Sequence, residues 1–430
     1  MNQNNQSVLQ KNSSERMARV YLILFAASAV LTVIGMMLTN GRSFTDTLYY
    51  SRYGVTDAFM DFYNSIRDAG TREVYKKGII YPPLANLFFF FLSKLIDPAL
   101  VAAPFKERFL MQSDMVCQML LFGFLFVSLA LTIHLMRQKA GELLPDGLAW
   151  VLALALALAY PMLYCIQRGN LVLLSLALTM FFVFYRSDER KWVGELSLIA
   201  LAVASGFKLY PAVLGLLLVR DKDYKRVLRL LAYGFAFTVL PFFFYDGFES
   251  MKDLAVNLQT FSEAKRITPV FVTTDVLAAY AEMVLHLDFH IMHWLLFLPM
   301  MAAAAVTVFL CEEEWKRVFC LVYLFMNLNS SGQTYILIFL LIPFVLFLLK
   351  KEHEKTDWLY LLLFAVLLII VPNLYYRFLN PDGVLLLNER KFLVRPNQLL
   401  AAPALQAMML LIAVQTLFGR FVKKKNANRA

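Results

Sequence analysis

The chain has 430 residues, 60% of them hydrophobic and only 17% charged, with a net charge of +10. A soluble domain would be about one quarter charged, so this composition excludes one and implies a polytopic membrane protein. The excess Lys and Arg fall mainly in short connectors, as membrane topology requires, and not in a basic patch with exposed aromatics, so no nucleic-acid partner is expected.

The polar start, MNQNNQSVLQKNSSERMAR, precedes an apolar run over 20–38 that lacks a small-residue cleavage site. Residues 1–19 are therefore expected to be a cytoplasmic tail before a retained first span, with Lys11, Arg16 and Arg19 holding that end inside. Residues 39–81 then form the first external segment. Within it, Val55, Phe59, Phe62 and Ile66 recur at steps of four, three and four, which predicts a helix with one apolar face. Asp57, Asp61, Asn64, Ser65 and Asp68 follow half a turn round. Tyr81-Pro82-Pro83 opens a second apolar run that fades near 96, and a third covers 115–136.

Further runs lie at 148–165, 171–185, 194–219 (interrupted by Lys208 and Pro211), 227–245, 291–311, 318–328, 335–349, 358–376 and 399–421. The expected fold is all-α with roughly 11–13 transmembrane helices, since the ten-residue alternation of a barrel is missing. Charged connectors at 186–192, 220–226, 312–317 and 350–355, and the basic tail 422–430, mark the cytoplasmic side. The other side receives 167–170, a long loop at 246–287, 329–334 and 379–397. A full crossing by 81–96 would put Arg137 and Lys139 outside, so either that run is a half-span or hairpin, or 97–112 holds a re-entrant piece. With no internal repeat, 20–421 is read as a single membrane domain. Cys117, Cys165, Cys311 and Cys320 show no metal spacing and are expected as free thiols.

Asp57 and Asp61 stand one helical turn apart, and two carboxylates so placed suit a general base that holds and releases a proton. The plainer alternative is an amphipathic helix lying on the membrane with its acids in water. Tyr81-Pro82-Pro83 is either a helix start or a rigid hand-over from the acidic helix. Arg168-Gly169-Asn170 carries an uncompensated cation, and Lys208 in GFKLYP lies in an apolar run where burial costs about 2.5–3.5 kcal/mol. Two cations from different spans would suit a phosphate-bearing lipid, although Lys208 can also snorkel to an interface. Lys265-Arg266 and the group Glu389, Arg390, Lys391 and Arg395 run against the charge rule; each reads singly as a solvated loop, and together they suggest an anionic ligand. His286, His290 and His293 are spaced for one helical face, yet an interfacial belt with Trp294 is favoured over a metal site.

The pair TDAFMDFYNS and YPPLANL, the RGN stretch and GFKLYP together resemble the polyprenol-phosphate-mannose-dependent α-mannosyltransferase family of the GT-C superfamily, from about residue 46 to 226. The family more often has Gly-Gln where this chain has Arg168-Gly169. The resemblance implies a multi-pass plasma-membrane enzyme with its catalytic site on the external face. It implies transfer of a hexose, mannose first, from a polyprenyl-phosphate carrier to a lipid or glycan hydroxyl, inverting and without metal or other cofactor. Carried onto these residues, Asp61 is the expected base with Asp57 second, while Tyr81, Arg168, Asn170, Lys208 and Arg266 bind substrate. Two rivals remain: a transporter or flippase of lipid-linked glycans, and a GT-C-like enzyme of another donor class.

Overall fold

The computed structural model describes residues 3–48, 58–103, 105–263, 272–328, 334–350, 352–373, 384–387, 390–393 and 396–427. The first helix, α1 (Gln3–Leu38), contains the expected first span and turns Ile23, Val30, Val33 and Met37 outward, as a lipid-facing helix does. A short α2 (Arg42–Leu48) is followed by α3 (Met60–Ala69), the acidic helix. A 3₁₀ turn at Tyr75–Lys77 then leads to α4 (Pro83–Ser93), with Pro83 in the first turn, where its missing N–H leaves no bond unmade. Eleven residues rise about 16 Å, roughly half of a hydrocarbon core, so α4 is too short to cross alone. α5 (Pro98–Val101), capped by the Asp97 carboxylate, and a 3₁₀ stretch at Phe105–Gln112 complete this irregular region.

α6 (Met115–Ala140) is the next long apolar helix, whereas α7 (Asp146–Ala157) and α8 (Tyr160–Arg168) divide one expected run between them. α9 (Val172–Tyr185) and α10 (Lys191–Phe207) follow. At Lys208 the backbone turns extended, and a 3₁₀ stretch (Tyr210–Gly215) with Pro211 and α11 (Leu216–Arg220) continue, which is the predicted interruption. The rest comprises α12 (Tyr224–Thr238), α13 (Phe248–Glu263), α14 (Thr274–Leu285), α15 (Phe289–Leu310), α16 (Glu314–Leu328), α17 (Leu341–Leu348), α18 (Asp357–Leu368) and α19 (Pro396–Ala427). Between α18 and α19, β1 (Val384–Leu387) and β2 (Arg390–Leu393) form an antiparallel hairpin with Leu387 opposite Arg390. Among the described residues, five helices are long and apolar enough to cross a bilayer: α1, α6, α12 with its continuation to Phe244, α15 and α19. The protein is a helical, multi-pass membrane protein, and several of the expected runs are shorter apolar helices, among them α4, α9 and α18.

The chain divides into two compact units. The first comprises Met1–Thr47, Met136–Pro161 and Arg266–Ala430. Its centre is α16, buried from Trp315 to Met326 and flanked by α15, α17 and α19. Beside α16, Lys350 joins Glu313 (3.3 Å) to Asp357 (3.0 Å), and Asp357 also accepts from the Glu354 N–H (2.8 Å). Burial alone would raise both carboxyls, but for Asp357 the bonds from His353, Glu354 and Lys350, and for Glu313 those with Lys316 and Lys350, leave each below its ordinary value. Burial would lower Lys350, and the two acids leave it raised. The acids therefore add stability above their unfolded values of 3.8 and 4.5, lost as pH falls through the lower folded ones. Lys350 adds stability below its unfolded value of 10.5, lost as pH rises through the folded one. Thermal unfolding of the purified protein is expected to show a plateau between these limits that collapses on the acid side; a melting temperature that climbs below pH 4 would contradict it.

The histidine spacing does not survive as one helical face. His286 closes α14 in a left-handed turn (φ 55°), and α15 begins only at Phe289. His293 Nδ1 meets Asp275 at 2.6 Å and its ring stacks on Phe297, with Trp294 exposed beside it. All four cysteines are free and buried.

The second unit, Leu48–Leu135 with Met162–Lys265, holds α3 beside α4, and α10 between α9 and α12. α3 and α4 run in the same sense: the Tyr81 side chain, before α4, lies beside Ser65 on α3, and Lys94, after α4, bonds the Gly70 carbonyl after α3 at 3.3 Å. Phe62 and Phe89 meet edge to face between them. Gly206 of α10 lies so close to α4 and α12 that a Cβ would come within 2.7 Å of Leu84 and of the Phe237 carbonyl.

Candidate active site

The acidic helix starts at Met60, five residues later than the spacing of Val55 predicts, because its entry is fixed from outside. Phe59 takes a left-handed backbone (φ 60°), a conformation that costs roughly 1–2 kcal/mol away from glycine, and its N–H bonds the Gln167 carbonyl at 2.6 Å. Gln112 Nε2 holds the Ala58 carbonyl at 2.7 Å. α3 is not an amphipathic helix resting on a surface: Met60, Phe62, Tyr63, Ile66 and Ala69 are all buried in protein. Its acidic side is correspondingly narrow. Ser65 is buried and bonds back to the Asp61 carbonyl, while Asp68 turns to its neighbour Arg67.

Asp61, in the first turn, is where the helix dipole favours a carboxylate. One oxygen accepts from the Arg168 guanidinium and the other from Asn170 Nδ2 at 2.8 Å. Arg168 is therefore not the uncompensated cation that its sequence context suggests; it forms a largely buried pair with Asp61. Asn170 is clamped at both ends, since its Oδ1 accepts from the Val172 N–H (3.0 Å) and caps α9. Between them Gly169 has φ +64°, and a Cβ there would lie 3.0 Å from Phe62 Cβ and 3.4 Å from Phe59 Cα. In RGN, then, the arginine brings a charge to Asp61, the glycine permits a close approach to α3, and the asparagine caps α9 while reaching Asp61. Gly169→Ala is expected to destabilise the purified protein by about 1–3 kcal/mol, through left-handed strain plus crowding against Phe62. An unchanged melting temperature would show that α3 can move aside freely.

Tyr81 completes the group. Its hydroxyl lies beside Ser65 and Asn170, and burial first, then the charge of Asp61, pushes the phenol well above its ordinary value. The Lys208 ammonium lies 3.8 Å from the centre of the Tyr81 ring, a cation–π contact. The YPPLAN element also holds itself: Asn86 Nδ2 (3.0 Å) and the Tyr75 hydroxyl (3.2 Å) both donate to the Tyr81 carbonyl. From α13, Asn257 Nδ2 in turn binds the carbonyls of Tyr75 (2.8 Å) and Ile79 (3.2 Å).

Five of the residues named from sequence therefore gather in the second unit: Asp61, Tyr81, Arg168, Asn170 and Lys208. Asp57 and Arg266 lie outside the described residues, as do Lys265, Glu389 and Arg395. Sequence reasoning passed over Asn86, Gln112 and Gln167, and only the polar Asn inside an apolar YPPLANL run offered a signal. Among the described residues no cluster of three His, Cys, Asp or Glu has metal-holding geometry. Chemically, the group offers a proton acceptor within reach of two cations and a phenol, which suits a transfer that releases an anion.

A multi-pass helical protein with such a group has the frame of an integral membrane transferase. Over residues 79–331, more than half of its length, the chain matches the model of glycosyltransferase family 87, and it belongs to that family. The match takes in Tyr81, Arg168, Asn170, Lys208 and Arg266 and begins after Asp61. No curated protein and no solved structure matches the chain. The protein is a membrane glycosyltransferase, which sets aside the transporter reading.

Proposed function

We propose that the enzyme moves a hexose, mannose first, from a polyprenyl-phosphate carrier to a hydroxyl of an acceptor lipid or glycan. The observation that carries this is the meeting of Asp61 with Arg168, Asn170, Tyr81 and Lys208, brought from separate helices. In the reaction, the acceptor oxygen attacks the anomeric carbon and its proton passes to the Asp61 carboxylate. The bond from that carbon to the carrier phosphate breaks, and the phosphate leaves with the electron pair. Lys208 and Arg168 receive its charge, while Tyr81 and Asn170 orient the reacting groups. Attack opposite the leaving group inverts the anomeric centre, so a β-linked donor yields an α-linked product. Arg168 has a double part here. In the structure it engages Asp61, and a donor phosphate competing for its guanidinium would free the carboxylate to accept a proton.

The location in the plasma membrane, with an inside N-terminus and the reacting group facing outward, is part of the same proposal. The short α4 supports it. If α4 does not cross, α6 starts on the side of α3 and ends in Arg137 and Lys139 on the cytoplasmic side, as the charge rule asks. Arg266 from the long loop would add a further charge to the phosphate.

The test is a membrane fraction expressing the protein, incubated with radiolabelled polyprenyl-phosphate sugars and, separately, nucleotide sugars. Incorporation from the mannosyl carrier into lipid or glycan, and none from nucleotide mannose, is expected. Incorporation from a nucleotide sugar, or none from any polyprenyl donor, would overturn the donor class.

A further inference from the structure

At the far end of α3 and α4 is a polar cavity of about 630 Å³. Arg67, Lys77, Lys94, Thr71 and Ser93 line it over an apolar floor that includes Ile96 and Val101. Its charges do not balance. Asp68 answers Arg67, through bonds of 2.9 and 2.5 Å to one carboxylate oxygen. Lys77 Nζ has only the Thr71 hydroxyl at 3.1 Å, and Lys94 Nζ only the Gly70 carbonyl at 3.3 Å and the Phe90 ring at 4.3 Å. Among the described residues neither lysine has a carboxylate partner. Lysines after helix ends ordinarily serve the last carbonyls, and one here does so. Each lysine keeps one bond, Lys77 to the Thr71 hydroxyl and Lys94 to the Gly70 carbonyl, and two charges without a carboxylate partner among the described residues face one half-open cavity.

Because α3 and α4 run in the same sense, the cavity and the Asp61 group occupy opposite ends of one rigid pair. From Asp61 to Gly70 the helix rises about 13 Å. We infer that the cavity is an anion subsite for the acceptor, taking a phosphate or carboxylate carried about 13 Å from the hydroxyl that reacts at Asp61. The inference rests on the proposed role of Asp61 and adds the substrate class: an anionic acceptor longer than a single sugar, held at both ends. Two lysines and the Thr71 hydroxyl supply donors for the oxygens of one phosphate, while the Ser93 hydroxyl is spent on the Phe90 carbonyl at 2.7 Å. The lysines are exposed, so affinity falls as salt rises.

The test uses the full-length protein in phosphatidylcholine nanodiscs, titrated with mannose 6-phosphate and, as the neutral control, mannose. A second arm replaces part of the lipid with phosphatidylinositol and measures lipid retained on the protein by mass spectrometry, which separates a glycan phosphate from a lipid headgroup. Lys77→Gln with Lys94→Gln is expected to weaken binding of the anion, in one arm or both, by at least about tenfold, the loss of one or two charged hydrogen bonds. Lys77→Arg with Lys94→Arg should retain it, which guards against misfolding as the cause. Binding is read with no sugar donor present, so the subsite is tested independently of sugar transfer. Equal binding by the Gln pair and the unaltered protein in both arms, or no preference for the phosphate over mannose in either, would overturn the inference.

Discussion

Asp61→Asn is expected to reduce sugar transfer from the polyprenyl-phosphate donor by roughly 10²–10⁴-fold, the usual contribution of a positioned proton acceptor. The substitution preserves shape, and an amide oxygen can still accept from Arg168, so the protein should insert and fold, with a lowered melting temperature because the guanidinium loses its counter-charge. What is lost is the capacity to take the acceptor proton. The measurement is label incorporation by equal amounts of each protein, paired with gel filtration to show that the variant is intact. Asp57→Asn belongs in the same experiment. Were that variant dead and the Asp61 variant active, the base would sit one helical turn earlier.

Arg168→Met should be more damaging, since it strikes stability and chemistry together. The Asp61–Arg168 pair is mostly shielded from water, with side chains 18% and 14% exposed. Removing one partner from such a pair leaves an unanswered charge and costs about 3–5 kcal/mol. Asn170 still donates to Asp61 but brings no charge. A lowered melting temperature and transfer near background are expected. The double variant Asp61→Asn with Arg168→Met removes both charges and should recover part of the lost stability while recovering no activity. A coupling of about 0.5–3 kcal/mol across the four proteins would identify the bond as a working one. Simple additivity would mean that the two side chains touch without depending on each other.

The helical class, the free cysteines and the broken element at Lys208–Pro211 were legible because each rests on a local property: apolar length, spacing, or an intramembrane charge next to proline. The start of α3 was not. Val55 and Phe59 fit the helical period, but Phe59 is drawn into a left-handed turn by the Gln167 carbonyl, a partner over one hundred positions away that no periodicity reveals. Arg168 shows the same limit in another form. Its position between apolar runs correctly marked it as unusual, and sequence could not say that its counter-charge is Asp61. Counting which side each charged connector must reach leaves two readings open, a half-span or hairpin at 81–96 or a re-entrant piece at 97–112, and α4 is too short to cross alone.

The separation of 107 positions between Asp61 and Arg168 also bears on how the enzyme is made. Synthesis proceeds from the N-terminus, so the carboxylate emerges well before its guanidinium exists. α6 and α7 must be produced in the interval. Until then the charge on Asp61 has to stay hydrated, because an unpaired carboxylate in hydrocarbon is costly. Phe59 cannot find its Gln167 carbonyl, nor can Phe62 pack against Gly169, before that same moment. The Asp61 cluster can thus form only once residues 168–170 have been made, and a nascent chain ending ahead of residue 168 carries its acid with nothing to receive it.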